Sequence, residues 1–341
     1  MNDKEHNPNQ QEGIDASTPL MGDSLVLFLD VLGVSEMFSE SIDVQKQEKN
    51  IERLYNVLDA VRGNLDIRRR NGVTVPDTLA AAMFSDSVYL VSAIGAKPTA
   101  FEGVLYGQFF KASECQTILL KHGFIARGGI ARGLIAVENN FIAGPACVSA
   151  AKFETSGMPP VIMVDKQLLW DSYWGSCAMK GAILNPEFFL LDDSWYFKLL
   201  YDTKTDNFFF NYMEDWFALC TDSLSDGDPG CHRLLVENLL RHKRLIENMI
   251  VEFNEQAHQD EARSSVHEKY LFLANLHNFV LRTYAQHTEF SDVAQYVIAP
   301  PQPLPPTSIA WAYPYLKKFI LEESYRHGHK NVDETFFMHH Q

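Results

Sequence analysis

The chain has 341 residues, 46% of them apolar, and a formal net charge of −15 from 29 Lys plus Arg against 44 Asp plus Glu. That apolar content suffices for one large packed domain or two moderate ones. The acidic balance, with no basic stripe, repels phosphate backbones and excludes a nucleic-acid partner. No stretch reaches the roughly eighteen apolar residues of a membrane span, and the N-terminus lacks the charged-then-apolar pattern of a signal peptide. We therefore expect a cytoplasmic protein with no membrane partner.

Five cysteines without a Cys-x-x-Cys pair indicate neither a zinc site nor a disulfide framework. The His-rich stretches at 326–330 and 339–341 lack metal-cage spacing and read as tail. The short basic run Arg68–Arg70, followed by Asn-Gly, reads as a solvated helix end.

In chain order, residues 1–22 are polar and proline-bearing and read as a disordered tail. The fold is expected to begin near Ser24, where "SLVLFLDV" is a short apolar run suited to a buried strand. Ile51, Leu54, Leu58, Val61 and Leu65 recur at helical spacing. The stretch "VTVPDTLAAAMFSDSVYLVSA" reads as two strands flanking Ser85, Asp86 and Ser87. A helix follows over 101–121, stopped by Gly123. Then "FIARGGIARGLIAV" is strand-like, with Gly128, Gly129 and Gly133 suggesting a bulge or a close backbone approach. "AGPACVSAAKFE" opens a helix with Pro145 in its first turn, and "PPVIMVD" is a further strand. This order predicts an α+β fold, a ferredoxin-like antiparallel sheet with helices on one face.

Beyond it, the aromatic residues of 184–212 flank "DTKTDN", a hairpin turn. Two amphipathic helices are expected over 231–257 and 264–285. "APPQPLPPT" at 299–307 cannot be helical and leads into an aromatic and polar tail. The composition changes thus divide the chain into a tail (1–22), a strand-and-helix region (23–222), a helical extension (223–295) and a Pro- and aromatic-rich segment (296–341).

Asp30 stands among apolar residues in "LVLFLDVLGV", and a buried carboxylate needs a partner or a metal. If the first and third strands are neighbours, Asp30 and Asp86 meet on one rim. Two carboxylates suit magnesium, which takes few protein ligands and completes its shell with substrate phosphates. The turn Val31, Leu32, Gly33 and Val34, with a helix beyond it, would offer backbone N–H groups to a triphosphate. Together these features suit two-metal phosphoryl chemistry. Taken singly, each aspartate also suits a helix cap or an ordinary turn.

The motifs "FLDVLGV", "FSDS", "RGGIARG" and "GPACVSAAKFE" resemble the catalytic core of class III nucleotidyl cyclases over roughly residues 24–165. The likeness is nearer to the pyrimidine cyclases of bacterial Pycsar anti-phage systems, whose helical C-terminal extension "KYLFLANLHNF" resembles. The resemblance implies a cyclase domain over 23–222 and a homodimer with active sites at the interface. It implies two Mg²⁺ or Mn²⁺ ions per site, with Asp30, Asp86 and the Val31 carbonyl as ligands. The ribose 3′-hydroxyl would attack the α-phosphorus of UTP or CTP with loss of pyrophosphate. The cyclic product would diffuse to a separate effector protein.

Several slots depart from the cyclase pattern. The lysine with which purine-cyclising relatives read the base is replaced by Ala82, the following glycine by Ser85, and their base-reading aspartate by Ile142. A pocket that hydrogen-bonds a purine edge cannot be built from Ala and Ile, so a pyrimidine is expected, UTP ahead of CTP. The transition-state pair Asn and Arg is replaced by Val148 and Lys152 on one helix face. Lys152 supplies a point charge without the fork of arginine, and Arg127 or Arg132 would share the task. These three also suit a surface lysine and arginines on an exposed sheet face.

The loss of the Asn and Arg slots admits a second class, a catalytically silent module that binds nucleotide and signals by dimer rearrangement. An RNA-binding module is disfavoured, because "RGGIARG" carries no stacking aromatic. An aspartyl-phosphate phosphatase would need an acid at Leu32. In the extension, Tyr270, Asn275 and Asn278 read either as packing residues or as sensors of an invading phage component.

Overall fold

The computed structural model describes residues 20–39, 44–67, 78–94, 98–138, 141–155, 159–171, 198–218, 229–254, 261–287, 293–301 and 303–327. The expected tail to residue 19, Arg68–Arg70, residues 184–197, Cys177, Cys220 and the last histidines fall outside that set. Among the described residues no helix is long and apolar enough to cross a membrane, and Cys115 and Cys147 are free thiols.

Strand β1 (Leu20–Val31) alternates its side chains between two cores. Leu25, Leu27 and Leu29 join one cluster, and Val26 and Phe28 the other. Helix α1 (Val34–Ser39) and helix α2 (Val44–Ile67) lead to the hairpin of β2 (Thr78–Phe84) and β3 (Ser87–Ala93). Helix α3 (Pro98–Lys121) ends where Gly123, at φ 77°, turns the chain, with its N–H and that of Phe124 capping Leu120 and Leu119. Strand β4 (Ala126–Glu138) then pairs with β1 from Leu20↔Val137 to Val31↔Ala126. The first strand therefore starts four residues before Ser24, because β4 is long enough to hold it.

The order β2-β3-β1-β4, antiparallel throughout, forms a split β-α-β unit. The sheet continues through β6 (Ile162–Val164), which is parallel to β4, then β8 (Asn207–Phe210), β7 (Leu199–Asp202) and β9 (Ile309–Trp311). The short β5 (Phe141–Ala143) pairs with β4 outside this path. The fold is α+β with a mixed sheet of nine strands among the described residues.

The expectation of helices on one face needs correction. Residues of α2 and α3, such as Val57, Leu105 and Phe109, cover the face of Leu25, Leu27 and Leu29. Helix α4 (Pro145–Thr155) covers the opposite face through Ala146 and Ala150. The glycines of β4 explain how α4 fits. A Cβ at Gly129 would stand 2.2 Å from Phe153 Cδ2 and 2.9 Å from the Ala150 carbonyl oxygen. The close approach read from the glycines is thus that of a helix on its sheet.

Helices α5 (Pro229–Asn254) and α6 (Glu261–His287) match the two amphipathic patterns. A buried chain of hydrogen bonds ties them to the sheet. His277 Nε2 meets the Tyr296 carbonyl at 2.9 Å, so it carries the proton and its Nδ1 accepts. His242 Nδ1 therefore donates to His277 Nδ1 at 2.8 Å, and its Nε2 accepts from the Tyr212 hydroxyl at 2.8 Å. Burial holds both imidazoles neutral, with His277 pushed down to about 4.

The segment after the prolines is not a tail. It supplies β9, which pairs Trp311 with Leu200, and helix α7 (Tyr313–Arg326), whose Tyr315 stacks on Tyr201 at 4.0 Å and whose Phe319 meets Phe208. Its three-residue strand was too short for alternation to mark.

Replacing Gly129 by Ala should destabilise the fold by about 1–3 kcal/mol, since the backbone of α4 as well as Phe153 must move. Equilibrium unfolding in urea, read by circular dichroism, measures this directly.

Candidate functional site

The alternation that buries Val26 and Phe28 under α4 sends Asp30 to the same face, at the end of β1. Register aligns Phe84, Ser87, Asp30 and Arg127 in one row across β2, β3, β1 and β4. Ser87 Oγ donates to Asp30 Oδ1 at 3.3 Å, and Arg127 Nε donates to Asp30 Oδ2 at 3.1 Å. The Arg127 Nη2 donates in turn to Glu154 Oε1 at 2.8 Å. Glu154 lies on the sheet-facing row of α4, four and eight residues after Ala150 and Ala146.

Asp86 occupies the β2–β3 turn, and its carbonyl accepts from the Val31 N–H at 3.1 Å. The two aspartates therefore meet at one rim. Burial raises the Asp30 carboxyl to about 6, helped by the negative charge of Glu154 and Asp86 and opposed by Arg127. The turn places Ser85 at φ 58°, a left-handed conformation that suits glycine.

The turn after β1 differs from the expected phosphate cradle. The N–H of Val31 donates to Asp86 and that of Leu32 to the Ile125 carbonyl at 2.8 Å, so both are committed within the fold. The side chains of Val31, Leu32 and Val34 are buried in the larger core. Gly33 turns the chain at φ 88°, and the Tyr270 hydroxyl of α6 stands 4.0 Å from where its Cβ would be.

Ala82 pairs with Tyr89, which pairs with Phe28, so Ala82 belongs to the Asp30 face. Ile142 of β5 packs against the same small core, as does Tyr89. Lys152 is exposed, and with Val148, 58% exposed, it occupies the outer side of α4, away from the row that carries Glu154. Arg132 stands five residues beyond Arg127 on the same strand and so faces the other side of the sheet. It pairs there with Asp23 at 2.6 Å and Asp171 at 2.9 Å, over the Phe101 ring. The structure brings Asp30 and Arg127 together with Asp86 in the adjoining turn, sends Arg132 to the other face of the sheet, and sets Lys152 on the outer side of α4.

The Asn275 amide donates to the Pro305 carbonyl at 3.0 Å, and Asn278 exchanges two hydrogen bonds with Ile298. Tyr270 is buried near Phe253. All three fasten α6 to its surroundings, as the packing reading expects.

Among the described residues no group of three or more His, Cys, Asp or Glu side chains is disposed to hold a metal. Magnesium asks for only one or two carboxylates, however, and Asp30, with Asp86 in the adjoining turn and the charge of Glu154 nearby, offers oxygen donors whose negative charge a divalent cation would offset. These residues fit such an ion. Glu154 and Ser87 escaped the sequence reading. The signal for Glu154 was the i, i+4 row Ala146, Ala150, Glu154 behind a small-residue strand.

No family model matches the chain, and no curated protein does. Two solved structures, each described as a bacterial light-regulated adenylyl cyclase, show a TM-score of 0.30. One is 13% identical and covers 44% of this chain and 79% of its own; the other is 14% identical, with 44% and 45%.

Two outcomes follow from this geometry. The folded chain holds the Asp30 proton more tightly than the unfolded chain does, so this group's contribution to stability falls as pH rises from about 4 to about 6. In unfolding free energies compared across that window, the stability of wild type relative to Asp30→Asn should fall as pH rises, the other titrating groups being common to both. Ser85→Gly should stabilise the chain by about 1 kcal/mol by relieving the left-handed turn, as a shift in the urea midpoint.

Proposed function

We propose that the chain is a pyrimidine nucleotide cyclase that converts UTP to 3′,5′-cyclic UMP and pyrophosphate. The observation that carries this reading is the placement of Asp30 and Asp86 at one rim of a split β-α-β sheet, which supports a ferredoxin-like core of the class III kind. Ala82 and Ile142 on the same face offer no hydrogen bond to a purine edge, which supports a pyrimidine.

On this reading Asp30 and Asp86 would hold two Mg²⁺ or Mn²⁺ ions, whose chemistry would be to offset triphosphate charge and to lower the pKa of the 3′-hydroxyl. The hydroxyl oxygen forms a bond to the α-phosphorus, the bond to the β-phosphate oxygen breaks, and the hydroxyl proton is lost to solvent. Arg127, held by Glu154, supplies positive charge beside the reacting phosphate. The exposed apolar Phe84 and Val148 suit a homodimer interface, in which Lys152, on the same outer side of α4 as Val148, would lie near the second copy. A role as second-messenger synthase in anti-phage defence, acting through a separate effector, follows from the family resemblance.

A catalytically silent nucleotide-binding module is the second reading, favoured by Val148 in place of a transition-state asparagine. Incubation of the purified chain with ATP, GTP, CTP and UTP separately, in Mn²⁺ and in Mg²⁺, with products read by mass spectrometry, tests both. The expected product is cyclic UMP, lost in Asp30→Ala and in Asp86→Ala. Cyclic CMP would reassign the base, and nucleotide binding without turnover would favour the silent module.

A further inference from the structure

Arg127 lies across the Asp30 carboxylate where a cation would sit. Its Nε holds Asp30 Oδ2 at 3.1 Å while its Nη2 holds Glu154 Oε1 at 2.8 Å, so one guanidinium bridges two carboxylates from different elements. The strand ladder fixes its Cα directly opposite that of Asp30, and α4, seated on Gly129, fixes Glu154. The guanidinium cannot leave by losing its proton, because arginine stays charged in proteins. A divalent ion arriving at Oδ2 therefore meets a positive charge already in place.

We propose that Arg127 is the resident counter-cation of Asp30 and that a divalent cation binds by exchange with it. The ion takes Asp30 Oδ2, and the guanidinium releases that oxygen and keeps Glu154 as its seat. Ser87 remains on Oδ1. Glu154 is thus a positioning residue that receives the displaced charge. The device keeps a buried carboxylate paired when no metal is present, since an unpaired one would be costly, and it sets the metal affinity below that of a bare aspartate pair. The inference rests on the reading of Asp30 as a metal ligand.

The test is a Mn²⁺ titration of the full chain without nucleotide, with free Mn²⁺ read by electron paramagnetic resonance. Wild type, Arg127→Met, Arg127→Lys and Asp30→Asn are compared. Removing the competing charge in Arg127→Met should tighten binding by about tenfold or more, Arg127→Lys should stay near wild type, and Asp30→Asn should abolish binding at this site. Equal affinity in wild type and Arg127→Met, with binding still lost in Asp30→Asn, would overturn the exchange while leaving the metal site standing. No saturable binding in any variant would overturn the metal reading and the exchange together. A second measurement needs no destabilising substitution. In the wild-type chain labelled with ¹⁵N-arginine, the Arg127 Nε–H resonance, assigned by its loss in Arg127→Lys, should shift saturably with Mg²⁺. A resonance unmoved by Mg²⁺ that does bind would overturn the exchange.

Discussion

The contact between α4 and the glycine face of β4 is the constraint on which the site depends. Gly129 leaves no room for a Cβ between strand and helix, and Ala146 and Ala150 press the helix onto the sheet. At that separation the next residue of the row, Glu154, comes within hydrogen-bonding distance of Arg127. Were α4 held further off by larger side chains, Arg127 would face Asp30 alone. Packing of small residues thus sets the electrostatics of a carboxylate at the other side of the strand pair.

The same sheet carries a second, quite different region. Beyond β6 the strands are buried on both sides, with Phe209 against Phe272 of α6 and Phe208 against Phe319 of α7. The neutral relay from Tyr212 through His242 and His277 to Tyr296 closes α5 and α6 over this region with every proton assigned. From that anchored helix Tyr270 reaches toward Gly33, next to the end of β1. The C-terminal helices and the Asp30 rim are therefore neighbours in one packed body.

Much of the split β-α-β core was legible because its strands and helices are long enough for their hydrophobic periods to show. The apolar run of β1, the spacing in α2 and the Ser-Asp-Ser turn each had a local cause. Asp30 also stood out locally, as a charge in an apolar run. The three residues of β9, beside prolines and without an apolar run such as that of β6, left no period to read, and α7 was hidden behind prolines. Arg132 misled for a similar reason. Arg127 and Arg132 look equivalent in "RGGIARG", but an odd separation on a strand sends them to opposite faces.

The sequence by itself determined the α+β class, the hairpin that carries Asp86, and the need of Asp30 for a partner, because propensity, period and the cost of a buried charge act over a few residues. The tertiary structure alone decided who that partner is. Ser87, Arg127 and Glu154 come from positions 57, 97 and 124 residues farther along the chain. Only the strand register and the seating of α4 bring them to one carboxylate.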